Sequence, residues 1–295
     1  MAMSPTRLAA QAVRALPRKH LSRLLGRAAL LRRPTPMLNA AIAAYVRAFG
    51  VDMGEVEVPR GGFRTFNEFF TRRLEPGARG IDPDRRALVS PADGRMEGFG
   101  RLTENAELVV KGMRYTARDL LGDAQEAIRY QGGHYFVVYL SPKDYHRVHA
   151  PTCGSVHHVR YVPGTLFPVN RIGSKYIPQL LARNERIAVV QQSDVHGAVT
   201  TILVGAIGVG RIGLAFDDLQ TNSGYTIGKR SYADAPIPID RGAELGVFHL
   251  GSTVIVMTPP ECVLDINLEV GASIRMGQAM GTGGLNGDCS RLLEI

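Results

Sequence analysis

Hydrophobic residues follow two different periods along the chain, and the change separates a helical N-terminal part from a strand-rich remainder. In residues 21–31 the apolar residues recur every three or four positions, with Arg23 and Arg27 on the opposite helical face. Pro34 ends this segment, and residues 37–49 show a second apolar pattern of helical length. We therefore predict two N-terminal helices, the first of them amphipathic and basic.

Short apolar runs between turn residues indicate β-strands in the remainder. Residues 135–140 form a continuous apolar run, residues 198–216 indicate two strands separated by glycines, and residues 253–256 are β-branched. The 33 glycines and 17 prolines are scattered, as expected for many turns between short strands. The pattern predicts an α+β fold with a mostly antiparallel, sandwich- or barrel-like β core and N-terminal amphipathic helices.

A short helix is predicted between these two parts. Thr65 precedes a phenylalanine-rich run, and Glu68 follows three residues later, which is the spacing of a capping box. The four phenylalanines of residues 63–70 are expected to anchor this helix in the core.

Charge changes the interpretation of the N-terminus. The net charge is +8, and residues 1–50 contain nine of the 35 basic residues and none of the 27 acidic ones. Neither predicted helix is long and apolar enough to span a bilayer, but a basic amphipathic helix suits an anionic membrane surface. A helical pair packed on the core with solvated arginines, a nucleic-acid contact and a cleavable targeting peptide remain alternatives.

Cysteine usage indicates a reducing compartment. Cys153, Cys262 and Cys289 are odd in number and far apart, so they form neither a disulfide framework nor a metal-binding pair.

Three places carry candidate chemistry. The hydroxyl of Ser252 follows the unhindered carbonyl of Gly251 and could attack it, which would convert the amide into an ester. Asp93 lies in a Ser-Pro-Ala-Asp-Gly turn, where such a residue often binds its own backbone. His146 and His149 are three residues apart and would share a face of a helix, but nearby prolines leave room for little more than one turn.

One apparent cofactor motif is rejected. Gly208, Gly210 and Gly213 have the spacing of a dinucleotide-binding loop, but no helical pattern follows them. Small residues in a crowded sheet explain these glycines better.

Taken together, the motifs resemble those of the phosphatidylserine decarboxylase family, from about residue 63 to residue 281. The resemblance depends on the following segments, in this order along the chain: Phe66-Asn67-Glu68-Phe69-Phe70, Pro91-Ala92-Asp93-Gly94, Asp144-Tyr145-His146-Arg147-Val148-His149, Tyr161-Val162-Pro163-Gly164-x-Leu166-Phe167, Ala182-Arg183-Asn184-Glu185-Arg186 and Leu250-Gly251-Ser252-Thr253.

The resemblance implies a proenzyme that cuts itself between Gly251 and Ser252, giving a β chain of residues 1–251 and an α chain of residues 252–295. It implies that Asp93, His149 and Ser252 form a self-processing triad, and that Ser252 becomes a covalent pyruvoyl cofactor. This cofactor would form a Schiff base with phosphatidylserine, which loses carbon dioxide to give phosphatidylethanolamine. His146 is expected to assist decarboxylation and proton delivery. No metal is expected.

The same resemblance suggests how the chain is organised. Residues 1–58 would form a membrane-association segment and residues 59–295 the decarboxylase domain. The expected partners are phosphatidylserine in an anionic membrane, the two chains of the same proenzyme and a second copy in a homodimer, without nucleic acid. The expected location is peripheral, on the cytoplasmic face of the inner cell membrane.

Two other classes of function remain open at this point. A zinc-dependent hydrolase could use His146, His149 and Asp93 as ligands with an open fourth position. A non-enzymatic membrane-surface adaptor would need the core only as a scaffold. The hydrolase alternative leaves the Gly251-Ser252 pair and the basic N-terminus unexplained.

Overall fold

A computed structural model describes residues 18–32, 34–169, 173, 176–206, 211–221, 228–249 and 252–285, with side chains from Leu24 onward. The predicted scissile residue Gly251, the glycines at 208 and 210, and the tail beyond residue 285 lie outside the described residues. The helices are α1 (Arg18–Leu30), α2 (Thr35–Phe49), α3 (Phe66–Phe70), α4 (Ala117–Leu121), α5 (Ala124–Ile128) and α6 (Leu180–Arg183).

The strands follow one another in short segments along the rest of the described chain. They are β1 (Ala87–Val89), β2 (Gly94–Arg101), β3 (Glu107–Val110), β4 (Met113–Thr116), β5 (His134–Leu140), β6 (Arg147–His149), β7 (Gly154–Val162), β8 (Arg186–Ser193), β9 (Gly197–Gly205), β10 (Ile212–Leu214), β11 (Lys229–Ser231), β12 (Ile237–Ile239), β13 (Glu244–Phe248), β14 (Ser252–Thr258), β15 (Cys262–Asp265), β16 (Ser273–Ile274) and β17 (Ala279–Leu285).

The structure confirms the two N-terminal helices that were predicted from the hydrophobic periodicity of the sequence. Helix α2 ends at Gly50, which adopts a left-handed conformation (φ 70°) and donates its N–H to the carbonyl of Val46. Helix α3 has the predicted cap, since the Thr65 hydroxyl accepts a hydrogen bond from the Glu68 N–H at 3.0 Å. The Glu68 carboxylate in turn accepts from the Arg64 N–H at 2.5 Å.

The main sheet confirms the predicted α+β class. Its strands run in the order β11-β7-β8-β9-β14-β5-β2-β16, with β12 also pairing with β7, and every pair is antiparallel. The strands at its two ends do not pair with each other among the described residues, so the sheet is open and not a closed barrel.

Strand β14 lies in the centre of this sheet and is buried on both faces. All seven of its residues are buried, as expected for a continuous apolar run with a layer packed on each side. Val254 and Val256 face a core that also contains Phe136 and Leu203. Ile255 and Met257 face a second core on the opposite side, formed largely by residues 102–130 and 167–181.

Smaller sheets cover the first of these cores. One has the order β1-β17-β15 and the other the order β10-β13-β6, while β3 and β4 form a separate hairpin. Strand β6 ends at His149, β13 ends at Phe248 before the predicted cleavage bond, and β14 begins at Ser252 after it.

A third hydrophobic cluster joins the N-terminal helices to the core. Leu38 and Ile42 of α2 pack together with Val56, Phe63 and Phe69. This cluster contains residues from both sides of the predicted domain boundary at residue 58. Helix α1 also contacts α3, so the N-terminal pair is docked beside the phenylalanine-rich helix.

Candidate active site

Ser252 is the first residue of β14. Its backbone is opposite Leu140 of β5 and Gly205 of β9, so the central sheet fixes its position. The side chain is fully buried, and its Oγ atom has no hydrogen-bond partner in the described protein. A buried hydroxyl without a partner costs about 1–3 kcal/mol. Buried polar groups are normally satisfied, so the unpaired Ser252 hydroxyl calls for an explanation.

The chain before the predicted cleavage bond is held by other partners. Strand β13 pairs with β6, and the Phe248 N–H donates to the His146 carbonyl at 3.0 Å. The Nδ1 atom of His249 hydrogen-bonds the Oδ1 atom of Asn67 in α3 at 2.9 Å. The two flanks of the predicted cleavage bond are therefore anchored to different sheets.

His146 lies just before β6 and is fully buried. Its ring stacks on Phe70, with 4.2 Å between the ring centroids. Neither ring nitrogen completes a hydrogen bond of normal geometry with the described residues. Burial, together with the positive charge of Arg72, lowers the pKa of His146 to about 3, so the imidazole is neutral near pH 7.

His149 ends β6 and has a defined tautomer. Its Nδ1 atom is 2.7 Å from the Gly242 carbonyl oxygen, which can only accept, so Nδ1 carries the proton. In the neutral ring, Nε2 therefore accepts from the Tyr145 hydroxyl at 3.0 Å. Burial lowers the pKa of His149, while the Gly242 carbonyl and the charges of Glu244 and Asp93 oppose this effect.

Asp93 lies in the turn between β1 and β2 and is bound mainly by Arg79. The Arg79 Nε and Nη2 atoms donate to the carboxylate at 2.9 and 2.5 Å, and the Met276 N–H donates to it at 2.8 Å. Arg79 also forms an ion pair with Glu55 at 2.7 Å. Asp93 is thus a buried carboxylate with defined partners, and not only a turn residue.

No hydrogen bond joins Asp93, His146, His149 and Ser252 to one another among the described residues. Asp93 is bonded to Arg79, and the bonds of His149 go to Gly242 and Tyr145. The influence of Asp93 on His149 is therefore electrostatic in the intact chain. His149 lies in strand β6, whereas His146 precedes the strand, and the two rings have different neighbours: Phe70 for His146 and Tyr145 for His149. The self-processing triad stays a prediction.

Sequence reasoning missed several supporting residues. Arg79 reaches Asp93 across 14 positions, and the carbonyl that holds His149 belongs to a residue 93 positions away. That residue, Gly242, has φ +84°, and a Cβ there would meet Ile81 at 2.6 Å. An Arg-Gly pair gives no signal of this role in the sequence. Tyr145 was within a recognised motif, but its hydroxyl contact could not be inferred.

Comparison with known proteins identifies the family. The sequence model described as phosphatidylserine decarboxylase matches residues 66–282. A protein of Anaeromyxobacter sp. (strain K) is 41% identical over 278 residues, covering 93% of this chain and 98% of the relative. A protein of Myxococcus xanthus (strain DK1622) is 39% identical, covering 90% and 95%, and one of Brevibacillus brevis (strain 47) is 37% identical, covering 90% and 95%. All three are named phosphatidylserine decarboxylase proenzyme.

The chain belongs to the phosphatidylserine decarboxylase family. The family match begins at Phe66 and contains Asp93, His146, His149 and Ser252. Helices α1 and α2 lie before it, while the relatives extend over nine-tenths or more of the chain.

Membership of the phosphatidylserine decarboxylase family leaves the other classes of function without support. Among the described residues, no three histidine, cysteine, aspartate or glutamate side chains converge as metal ligands. In particular, Asp93, His146 and His149 have the separate surroundings given above. Gly213 lies in strand β10 and does not open a helix, in agreement with the rejection of a dinucleotide loop. No helix in the described part of the chain is long and apolar enough to cross a membrane.

Proposed function

We propose that this protein is a phosphatidylserine decarboxylase that cuts itself between Gly251 and Ser252 and makes a pyruvoyl group from Ser252. The observation that carries the proposal is the buried, unpartnered Ser252 hydroxyl at the start of the central strand, in a member of this family. A cut before Ser252 leaves residue 252 at a chain terminus that the sheet holds in place.

The cut begins with attack of the Ser252 oxygen on the Gly251 carbonyl carbon. A base takes the hydroxyl proton, the C–N bond breaks, and the serine nitrogen receives a proton to give an ester. Loss of the Ser252 α-proton then expels the Gly251 carboxylate and leaves dehydroalanine. Tautomerisation to an imine and addition of water release ammonia, so that residue 252 ends in a ketone.

His149 is the proposed base. Its Nδ1–H is held by Gly242, which leaves Nε2 as the nitrogen that can accept a proton once the Tyr145 hydroxyl moves away. The negative charge of Asp93 raises the pKa of His149 against the effect of burial. The charge of Asp93 would therefore favour proton transfer to His149 without a hydrogen bond between the two residues. The orientation of Asp93 itself is fixed by Arg79.

The fit of a pyruvoyl group depends on the surroundings of residue 252. The Ser252 position is closed to solvent, and its Oγ makes no bond that conversion to a ketone would break. When present, this group supplies a carbonyl that condenses with the headgroup amine and accepts the electron pair left by carbon dioxide.

His146 is proposed to act during turnover. Its neutral ring and the stacked Phe70 form an apolar surface. Such a surface disfavours the charged substrate carboxylate, and this penalty disappears as carbon dioxide leaves. An incoming substrate carboxylate would raise the pKa of His146, so the ring could take up a proton and later return it to the substrate carbon.

The N-terminal helices are proposed as the membrane-docking element. Leu24, Leu25, Leu31 and Met37 are among the exposed large apolar side chains of this part of the chain. Exposed leucines next to Arg27 and Arg32 suit an anionic lipid surface. Docking there would bring the site to the membrane as a peripheral enzyme of the cytoplasmic face of the inner membrane. The homodimer remains a proposal.

The experiment that tests this function follows both products. Purified protein is mixed with phosphatidylserine labelled at the serine carboxyl, and labelled carbon dioxide and phosphatidylethanolamine are measured. Equal amounts of both are expected, and pretreatment with hydroxylamine, which blocks ketones, should stop their formation. Hydrolysis of the lipid without carbon dioxide, or turnover unaffected by hydroxylamine, would contradict the proposal.

A further inference from the structure

Unsatisfied buried atoms point to one more residue of the site. Ten buried side-chain nitrogen or oxygen atoms lack a hydrogen-bond partner in the described residues, and five of them belong to Arg72, His146 and Ser252. The proposed function uses His146 and Ser252 but has no role for Arg72. Buried polar groups are normally satisfied, so the cost of leaving Arg72 incompletely bonded calls for an explanation.

Arg72 follows α3 and is 4% exposed. Its Nη2 atom donates to the carbonyls of Lys143 and Asp144 at 2.7 and 3.0 Å, whereas Nε and Nη1 have no partner. The guanidinium lies 5.5 Å from the centre of the Phe69 ring, and no carboxylate of the described chain lies within ion-pair distance. Burial lowers the pKa of Arg72, yet a guanidinium remains charged near pH 7.

A second buried arginine shows what a purely structural role requires. Arg186 is 2% exposed, and its three nitrogens donate to the carbonyls of Asp119, Leu120, Ala182 and Asn184. All of its nitrogens have partners. Arg72 is nearly as buried but leaves two nitrogens without a partner among the described residues, so it has hydrogen-bonding capacity that these residues do not use.

Arg72 also connects the site to a polar cavity. It lines a cavity of about 200 Å³ together with Tyr145, three further basic side chains and four acidic ones, which are Arg79, Lys143, Arg275, Asp52, Glu55, Asp93 and Asp144. Arg79 is paired with Asp93 and Glu55, and Arg275 with Glu55, whereas Arg72 forms no ion pair among the described residues. Tyr145 is the partner of His149, and the charge of Arg72 acts on His146. The two unpaired nitrogens are shielded from solvent, so a small movement of the guanidinium towards the cavity would be needed to expose them. An ion pair formed in such a shielded place is stronger than one in water.

We propose that Arg72 binds the phosphodiester group of the lipid substrate, an inference that rests on the proposed decarboxylase function. The planar fork of an arginine matches two oxygens of a phosphate. The lipid phosphate would occupy the cavity side of Arg72, and the serine headgroup would extend towards His146 and residue 252.

The reaction itself favours the phosphodiester over the substrate carboxylate. The carboxylate loses its charge as carbon dioxide leaves, so a buried cation bound to it would stabilise the substrate more than the transition state. The phosphodiester keeps its charge throughout, and binding it holds substrate and transition state alike. Arg72 is therefore assigned to substrate binding rather than to the bond-breaking step.

The test measures binding of a phosphodiester that cannot react. Dihexanoyl phosphatidylmethanol has neither amine nor carboxylate, and calorimetry below its micelle concentration gives its affinity for the purified cut protein. Arg72→Gln should weaken this binding by about 30-fold or more. Arg72→Lys keeps the charge without the fork and should weaken it by a smaller but measurable factor. If Arg72→Gln does not fold, the probe affinity of Arg72→Lys tests the proposal.

Arg186→Gln is the matched control, because it also removes a buried arginine that donates to carbonyls. It should lower the unfolding temperature yet leave probe affinity unchanged. In turnover, Arg72→Lys should raise KM for dihexanoyl phosphatidylserine with little change in kcat. An O-acylserine has an amine and a carboxylate but no phosphate. With this substrate, Arg72→Lys and the original protein should have the same KM and kcat.

The outcomes separate the two proposals. Two results would overturn the role of Arg72 while leaving decarboxylation intact. One is an unchanged probe affinity in both Arg72 variants. The other is an equal loss of activity with the phosphate-containing and the phosphate-free substrates. Probe binding that depends on Arg72 in a protein that releases no carbon dioxide would overturn the proposed function and support the anion site alone.

Discussion

The rings of Phe70 and His146 stack with their centroids 4.2 Å apart and their planes 22° from parallel. Phe70 is the last residue of α3, and its ring also contacts Tyr45 of α2 edge-on, with 6.2 Å between centroids. The proposed catalytic histidine and the helix pair proposed to meet the membrane thus share one aromatic cluster.

Replacing His146 separates chain cutting from turnover. His146→Ala should still be cut before Ser252, because His149 is the proposed base, but carbon dioxide release should fall by roughly 10²–10⁴-fold. The measurements are a denaturing gel and labelled carbon dioxide release. His134→Ala is the control: His134 is also buried, but it lies opposite Thr258, at the other end of β14. Loss of cutting in His146→Ala would contradict this division of roles.

Replacing Asp93 tests its electrostatic role. Asp93→Asn should slow cutting by about 10²-fold, because the amide no longer raises the pKa of His149 and so weakens the base. Glu55→Gln is the control, since Glu55 is the other carboxylate partner of Arg79. Cutting is followed over time in freshly translated chains. Equal rates for Asp93→Asn and the original chain would assign Asp93 to the architecture of the turn alone.

Stability should depend on pH through the buried histidines. The pKa of His146 is lowered from 6.5 to about 3, so within that window the unfolded chain binds a proton that the folded chain does not. The free energy of unfolding therefore falls as pH falls, by up to about 1.4 kcal/mol per pH unit for this histidine. In urea unfolding of the uncut Ser252→Ala chain at pH 6.5 and pH 5, adding His146→Leu should reduce the loss. An unchanged loss would show that the pKa of His146 is not lowered in the folded chain.

Membrane binding should depend on the exposed leucines and the basic charge of the N-terminus. Leu25→Glu combined with Leu31→Glu should weaken binding to anionic vesicles, and deletion of residues 1–33 should abolish most of it. The matched control is Val263→Glu with Val270→Glu, two exposed apolar positions elsewhere. Binding should weaken with salt, because the screening length falls from about 10 Å at 0.1 M to about 3 Å at 1 M. Equal binding by the deleted protein would rule out this anchor.

Local patterns predicted the elements of the fold well. The helical spacing of residues 21–31, the Thr65–Glu68 cap and the β-branched run after Ser252 each became the expected element. The reason is physical, since these signals depend on neighbours within a few residues. The strand order could not be predicted, because antiparallel pairs such as β14 with β9 join segments about 50 residues apart.

The site shows the same limit. Motifs drew attention to Asp93, His146, His149 and Ser252, but not to the contacts that set their states. The tautomer of His149 is set by Gly242, and the position of Asp93 is set by Arg79. The helical face considered for the two histidines did not form, because residues 147–149 form strand β6, which pairs with β13.

The most direct test of the account is the intact mass of the purified protein after denaturation. The account predicts two chains, residues 1–251 and residues 252–295, with the second carrying a pyruvoyl group in place of its N-terminal serine and resisting Edman sequencing. Ser252→Ala should give one uncut chain. A single full-length chain with an unmodified Ser252, recovered from folded protein, would contradict the account.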